Sequence, residues 1–298
     1  RVEEGLSRVQ ENGRFALELL GRRIRMAGFQ GCSNISQVPT RIMASDAVVN
    51  GGTVTDLVFD LDDVLNGTDN IAGGNALGAR ANTDVLVIRG GMPSDAKLTG
   101  NLPPNNANIQ IDSNPDNFVA GDYLFITDCE LADIFEATTV SSETSPTITH
   151  AASGNIDAKL SKPYLKDAFL LVFRSSTFYI KDTGRVNQAG DPIFSLFEND
   201  LKTGEREFIE GVEDMQIEYG VDTDADAAAN TYVDATGVTN WANVVSVRLA
   251  LLLGTVEHVS PVAQGFTDLG GTQVAAASDD RRLRRRFTST ISLRNRAL

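Results

Sequence analysis

Residue types that support catalysis are sparse in this chain of 298 residues, which has two histidines and two cysteines. His150 stands in a Ser/Thr-rich stretch and His258 at the end of a predicted strand, so we expect both on the surface rather than in a proton-transfer site. The sequence contains no nucleophile elbow, HExxH motif or local Cys/His pair. These observations predict a protein that is not an enzyme.

The best candidate for ion chemistry is the segment VDTDADAAAN, in which Asp222, Asp224 and Asp226 alternate. Alternating carboxylates can converge on one hard cation, as they do at the start of a calcium-binding loop. Against this, Ala227 stands where such a loop needs glycine, and no Glu closes the loop at its twelfth position. Two interpretations stay open, a calcium site and a solvated acidic hairpin turn. No other metal and no organic cofactor is expected.

Composition limits the class of partner. The net charge of −14 argues against a general binder of nucleic acid or of anionic membranes, because both favour a positive surface. The longest apolar runs, Ala168–Phe173 and Leu249–Leu253, are much shorter than a membrane span. No signal peptide is visible. We therefore expect any membrane anchor to lie upstream of Arg1.

One basic run stands out in this acidic chain: Arg281, Arg282, Arg284, Arg285 and Arg286. Nucleic-acid binding is one interpretation. The favoured interpretation is that the run leads into the last strand and pairs with acidic surface of its own domain or of a neighbour. Such charge pairs contribute little stability individually, but they can fix orientation.

The element that must position these groups is a predicted helix, Arg1–Gly28. At about 100° per residue, one apolar stripe falls on a single face; it comprises Val2, Leu6, Val9, Gly13, Ala16, Leu17, Leu20, Ile24 and Ala27. Phe15, Leu19 and Met26 form a second, thinner stripe roughly opposite. Either the helix lies sandwiched inside its own domain, or the second stripe contacts a partner helix.

Two features favour a helix that has been cut. The pattern is in register from Val2 although no capping residue precedes it, and the chain starts with Arg. Gly28 and Gly31 mark the end of the helix. At about 1.5 Å per residue the helix would be roughly 42 Å long. We expect it to be the lower part of a longer stem.

The remainder of the chain is predicted to be β. Period-2 alternation and apolar runs predict strands. Ala168–Ser175 with Thr177–Lys181 is predicted to form a hairpin with its turn around Arg174–Ser176, and Ile193–Glu198 with Arg206–Glu210 is predicted to form another. The other predicted strands are Thr53–Leu65, Thr83–Arg89, Tyr123–Thr127, Ile134–Thr139, Met215–Gly220, Val244–Leu253 and Arg286–Arg294. The predicted fold class is α+β, with a truncated stem helix (1–28) packed on a large antiparallel β-rich head (29–298).

The two cysteines, Cys32 and Cys129, allow two interpretations. They could be unrelated buried thiols, or they could form a disulfide that joins the end of the helix to a strand. Such a bridge would close a long loop and, in the chain-entropy model, stabilise the fold by about 4–5 kcal/mol. No metal-binding spacing is present around either cysteine.

Four segments together resemble a known family. RVQENGRFALELLGRRIRMAGFQGC (Arg8–Cys32) resembles the end of the stem helix of PilW-type minor pilins of type IV pili. IEGVEDMQIEYGVDTDAD (Ile209–Asp226) resembles their hairpin region, and FTSTISLRNRAL (Phe287–Leu298) their last strand with its Arg-Asn-Arg. GDYLFITDCELADIFEATT, which holds Cys129, also fits. The resemblance extends over nearly the whole chain in the same order.

This resemblance implies a role in assembly. Minor pilins of this kind are inserted in the bacterial inner membrane through a hydrophobic segment, face the periplasm and are processed by prepilin peptidase. With other minor pilins they prime pilus growth on the inner-membrane assembly platform. They then stand at the extracellular pilus tip, above the major pilin and often beneath a large adhesin. The leader peptide and the hydrophobic first half of the helix are missing here, which agrees with a truncated stem.

The resemblance also favours a Cys32–Cys129 disulfide, because the periplasm is oxidising. It implies that the stripe of Phe15, Leu19 and Met26 packs on sister stem helices. Three alternative functions remain: a minor pseudopilin of the J type in type II secretion, a calcium-dependent surface adhesin and, least favoured, an enzyme. The sequence does not say whether the pilus serves motility, adhesion or DNA uptake.

Overall fold

The computed structural model of the protein describes residues 2–31, 38–45, 48–49, 52–53, 59, 62, 64–100, 102–103 and 105–296. In this part of the chain the only α-helix is α1 (Val2–Arg25), and nineteen strands follow it. The strands are β1 (Thr40–Ile42), β2 (Val48–Val49), β3 (Gly52–Thr53), β4 (Leu65–Thr68), β5 (Val85–Lys97), β6 (Asn108–Gln110), β7 (Tyr123–Thr127), β8 (Ala132–Glu136), β9 (Thr139–Val140), β10 (Thr147–Thr149), β11 (Phe169–Val186), β12 (Pro192–Asp200), β13 (Gly204–Glu210), β14 (Val212–Val221), β15 (Thr231–Val233), β16 (Val244–Gly254), β17 (Phe266–Thr267), β18 (Gln273–Val274) and β19 (Arg284–Ser292).

An eight-stranded sheet is built around β11. One edge of β11 pairs with β5, which also pairs with β4, and the other edge pairs with β7 and then with β12. β8 and β1 extend the sheet beyond β7, and β13 extends it beyond β12. The β1–β8 pair is parallel, whereas the other pairs of this sheet are antiparallel. A small sheet of β6, β10 and β9 shares an apolar core with β7, β8 and β11.

The helix packs on an antiparallel four-stranded sheet with the order β15–β14–β16–β19. Most of its predicted inner stripe is buried; the buried positions are Val9, Gly13, Ala16, Leu20, Ile24 and Ala27, whereas Leu6 and Leu17 are half-buried and Val2 is exposed. These side chains share one core with the inner faces of β14, β16 and β19 and with parts of β5, β11 and β12. One layer of side chains therefore holds the helix and both sheets together.

The end of α1 lies directly on β5. The N–H of Gly28 donates to the carbonyl oxygen of Arg89 at 2.8 Å, and the N–H of Gly91 donates to that of Phe29 at 2.7 Å. A Cβ atom at Gly90 would lie 2.8 Å from the carbonyl oxygen of Met26. Glycine at this position therefore permits backbone to pack on backbone.

None of the described helices combines the length and the apolar character that a bilayer span requires.

The prediction of a pilin-like α+β fold is wrong. The described part of the chain is mostly β, with 43% of its residues in strands and 11% in helices. The predicted stem (1–28) corresponds to a single helix of 24 residues, about 36 Å long. This one helix is a small part of the fold compared with the two large sheets. The error arose because a helix has a strong periodic signal, whereas strands of two or three residues such as β1, β9 and β15 have none.

The hairpin predicted at residues 168–181 is also wrong, because β11 runs without interruption from Phe169 to Val186. Arg174 and Ser176, which suggested a turn, lie inside the strand. They form an ion pair and a hydrogen bond of 2.9 Å, respectively, with the buried carboxylate of Asp200. A polar group that is satisfied in this way can be buried at the centre of a sheet.

Other strand predictions are confirmed, including the β12–β13 hairpin and the core strands β14 and β16. The strand predicted over Thr53–Leu65 lies largely outside the described residues. The division of the chain into a stem (1–28) and a head (29–298) stays a prediction.

Candidate functional site on the helix

The outer face of α1 carries the predicted second stripe. Phe15 is 53% exposed near the middle of the helix, and Leu19 and Met26 are half-buried. The three side chains line one groove with a volume of about 670 Å³, together with Met92 of β5. We call this site the helix groove. The sequence placed three of its apolar residues correctly on one face, but it gave no signal for Met92, which lies far away along the chain.

Positive charge surrounds the helix groove. Its rim is formed by Arg22, Arg23, Arg25 and Arg294, with Glu18 as the single acidic residue. Arg22 forms an ion pair with Glu18 at 2.7 Å, and Arg23 contacts the buried carboxylate of Glu198 at 3.4 Å. Arg25 and Arg294 form no salt bridge with another described residue. An apolar floor with an arginine rim favours an amphipathic partner with carboxylates on its edges.

The Arg-Asn-Arg ending positions one side of this groove. The amide of Asn295 donates to the carbonyl oxygen of Ala27 at 2.9 Å, so it satisfies an orphan carbonyl near the end of α1. Arg296 is buried and donates to the carbonyl oxygens of Trp241 and Val244. Burial lowers the pKa of Arg296 to about 10. Of the three residues, only Arg294 therefore presents its charge to solvent.

The three aspartates of the acidic segment lie close together, with ligand atoms of Asp222, Asp224 and Asp226 within 4.8 Å of one another. The carboxylate of Asp222 accepts the N–H groups of Asp224, Ala225 and Ala227 at 2.8–3.1 Å. Although burial opposes it, these hydrogen bonds lower the pKa of Asp222. The same oxygens would have to serve a cation, so the calcium site stays a prediction.

Cys129 lies in the β7–β8 turn, is half-buried and has a φ of 72°. Its N–H donates to the hydroxyl of Thr127 at 3.3 Å. Cys129 is not a free thiol in the structure. Cys32 lies outside the described residues, so the Cys32–Cys129 disulfide stays a prediction.

Two of the five arginines of the basic run at residues 281–286 pair with acidic side chains of the chain itself. Arg282 contacts Asp280 at 3.0 Å, and Arg284 contacts Glu213 at 2.6 Å and Asp280 at 2.7 Å. Although burial opposes it, hydrogen bonds from these two arginines hold the pKa of Asp280 well below its ordinary value. Pairing within the chain is therefore confirmed for Arg282 and Arg284, whereas Arg281, Arg285 and Arg286 form no salt bridge with another described residue.

The two histidines are placed differently from the prediction. His150 is fully buried and packs on the ring of Phe135 at 5.2 Å, so its predicted surface position is wrong. Burial lowers the pKa of His150, and neither ring nitrogen has a hydrogen-bond partner among the described residues. His258 is half-buried, with Nε2 at 2.7 Å from the carboxylate of Asp191.

The comparison with protein families gives a match. The model of the family PilW, described as Type IV Pilus-assembly protein W, matches residues 178–295. This range includes the Ile209–Asp226 segment and most of the Phe287–Leu298 segment, whereas α1 and the segment around Cys129 lie outside it. The resemblance stated from the sequence is confirmed over this part of the chain. No curated protein matches the chain.

Proposed function

The match over residues 178–295 supports a PilW-type protein of type IV pilus assembly, and on this premise we propose that the chain is a minor pilin. In this role it primes pilus growth together with other minor pilins and then stands in the tip complex, beneath a large adhesin and above the major pilin. It faces the periplasm before assembly and the exterior afterwards. Its contribution is to bind and position other subunits, not to catalyse a reaction.

The observation that carries this proposal is the exposed helix groove. An amphipathic helix of a single globular domain needs one apolar stripe, and α1 already buries that stripe through Ala16, Leu20 and Ile24. Phe15 nevertheless presents an aromatic ring to solvent on the other side. Because about half of the ring is already covered, burying the rest against a partner is worth about 1–1.5 kcal/mol. A sister stem helix has the shape and the apolar character to cover it.

The rim of the groove determines which helices fit. Arg25 and Arg294 lie on it without a salt bridge to another described residue. A partner helix with carboxylates beside its apolar stripe would pair with them, whereas one with lysines or arginines there would be repelled. Charge at the rim therefore selects among helices that are all amphipathic.

The test is co-expression with sister minor pilins and purification of the complex. We expect Phe15→Glu with Leu19→Glu to leave the head folded but to abolish co-purification, because two carboxylates would be buried in the contact. A matched control is Gln10→Glu with Arg14→Gln, which changes the net charge equally at exposed positions of α1 outside the groove. If the first variant still co-purified like the control, the helix groove would not be the interface.

A further inference from the structure

The last strand has one edge that pairs with no other strand among the described residues. β19 is the outermost strand of the four-stranded sheet and pairs only with β16. Two hydrogen bonds fix which backbone groups point inward: the N–H of Leu293 donates to Val245 and the N–H of Thr255 donates to Leu283, each at 2.9 Å. Odd-numbered residues of the strand therefore bond to β16.

The even-numbered residues must then point their N–H and C=O groups away from the sheet. We call this row the outer edge of β19; it consists of Arg286, Thr288, Thr290 and Ser292. No hydrogen bond joins these backbone groups to any other described residue, and all four residues are exposed. The outer edge is therefore a ready template for another strand.

β19 also lacks most of the features that protect edge strands. It is nine residues long, about 30 Å, and its register with β16 shows no bulge. It contains no proline, and only its first residues are charged, whereas Thr288, Thr290 and Ser292 are hydroxyl residues. By contrast β15, at the opposite edge of the same sheet, has three residues. A long, regular and mostly uncharged edge is the kind that accepts a strand.

The surface beside the edge has space for the side chains of an added strand. On the face away from α1, an open trough with a volume of about 690 Å³ follows the sheet. It is lined by the basic residues Arg248 and Arg286 and by the acidic residues Asp69, Glu218 and Asp234, among others, and it reaches Thr288 and Thr290 at the edge. The carboxylates of an added strand therefore belong at its ends rather than in the trough. Alternate side chains of an incoming strand would point into this trough.

Charge indicates the chemistry of the occupant. Arg285 and Arg286 lie at one end of β19 and Arg294 follows its other end; all three are exposed and form no salt bridge with another described residue. A second copy of the chain fits poorly, because two-fold pairing about Thr290 would place Arg286 of one copy opposite Arg294 of the other. Like charges directly opposite each other destabilise a strand pair.

We propose that the outer edge of β19 binds an extended, carboxylate-bearing segment of a sister pilus subunit by strand addition. This identity of the partner rests on the function proposed above. The backbone contact along β19 lies outside the helix groove, although Arg294 borders both sites. Backbone hydrogen bonds supply the affinity, and the arginines at both ends of β19 fix the register of the added strand.

The test uses two variants at one position, in the chain co-expressed with sister minor pilins. Thr290→Pro removes an outward N–H and places a ring on the edge, but it leaves the inward hydrogen bonds to β16 in place. Thr290→Val keeps the N–H and is the matched control. We expect the proline variant to lose at least about tenfold in affinity for the sister subunit, a cost of about 1.4 kcal/mol, and the valine variant to bind normally.

Amide exchange gives a second readout that needs no variant. In the free protein the outward amides should exchange fast, while the amides of Phe287, Ser289 and Ile291 should be protected. In the complex we expect the outward amides to slow at least about tenfold as well. If Phe15→Glu with Leu19→Glu disrupts the complex while the outward amides of β19 in the wild-type complex still exchange fast, strand addition is wrong. The minor-pilin proposal then stands.

Two other outcomes are equally decisive. If the wild-type chain binds no sister minor pilin, the proposed function fails, and this proposal fails with it. If the chain alone dimerises in sedimentation experiments and Thr290→Pro abolishes the dimer, the occupant is a second copy and the proposed sister subunit is wrong.

Discussion

Two glycines of α1 face the same sheet with different clearances. A Cβ atom at Gly13 would lie 2.5 Å from ring carbons of Phe287, whereas one at Gly21 would lie 3.7 Å from its nearest neighbour. Alanine favours a helix over glycine by about 1 kcal/mol. At Gly21 an alanine fits, so this gain in helix stability is expected. At Gly13 the ring of Phe287 must move to make room for the Cβ atom.

We therefore expect opposite effects from the same substitution. Gly21→Ala should raise the free energy of unfolding by about 1 kcal/mol, and Gly13→Ala should lower it by about 1–3 kcal/mol through overpacking. Urea denaturation of both variants measures the difference. An equal gain at both positions would show that the Phe287 ring does not contact the helix as described.

The acidic loop holds two alanines in a conformation that suits glycine. Ala225 has a φ of 63° and Ala227 a φ of 65°, and this region costs a residue with a Cβ atom about 1–2 kcal/mol. We expect Ala225→Gly and Ala227→Gly each to stabilise the protein by about 1 kcal/mol in thermal or urea denaturation. Ala228→Gly is the control, since Ala228 has no positive φ; it should not stabilise the protein.

At the scale of elements, β11 shows why the sequence predicted some parts of the fold correctly and others wrongly. Polar residues inside an apolar run are typical of a turn, and Arg174 and Ser176 gave that signal. The carboxylate of Asp200 pairs with both side chains and so permits their burial. Because Asp200 lies on β12, the sequence around Arg174 and Ser176 does not indicate this partner. Likewise, His150 is buried against Phe135 of β8, a strand of a different sheet from the one that His150 follows.

The helix is the opposite case, because its two stripes depend only on local periodicity. The sequence therefore predicted both the buried inner face and the exposed outer face, including Phe15. What it could not predict is the rest of the helix groove. Met92 and Arg294 reach the groove from β5 and from the residues after β19, and only the three-dimensional structure brings them together.

A disulfide would connect two of these elements, the end of α1 and the β7–β8 turn. If Cys32 and Cys129 are paired, the purified protein should be lighter than its reduced form by two hydrogens, and it should react with iodoacetamide only after reduction. Reduction should then lower the free energy of unfolding by about 4 kcal/mol, because the bridge closes a long loop. Alkylation of both thiols in the unreduced, folded protein would contradict the pairing.

At the scale of the whole molecule, one buried carboxyl joins the two large sheets. Asp84 precedes β5 of the eight-stranded sheet and is 2% exposed. Its carboxylate accepts the N–H of Asn70 at 2.8 Å and the N–H of Ile217, in β14 of the four-stranded sheet, at 2.7 Å. Its own N–H donates to the carbonyl oxygen of Met215 at 2.9 Å. The contact between the sheets therefore depends on the ionisation of this group.

Burial raises the pKa of Asp84 from 3.8 to about 6, against the two N–H donors that favour the charged form. Between pH 3.8 and about 6, the folded protein therefore holds the proton of the Asp84 carboxyl more tightly than the unfolded chain does. The contribution of Asp84 to the free energy of unfolding is therefore complete below pH 3.8 and is lost as the pH rises through 6. Because each pKa unit is worth about 1.4 kcal/mol, the loss amounts to about 3 kcal/mol.

Asp84→Asn isolates this contribution, because every other carboxyl titrates in both proteins. We expect the free energy of unfolding of the wild type, relative to the variant, to fall by about 3 kcal/mol between pH 3.5 and pH 7. Urea denaturation at several pH values measures both proteins on the same scale. The amide of the variant must present Nδ2 to one of the two N–H donors, which lowers its stability. This cost is the same at every pH, so it does not affect the comparison of how stability changes with pH. A difference that did not change with pH would mean that Asp84 ionises normally and that water reaches the junction between the sheets.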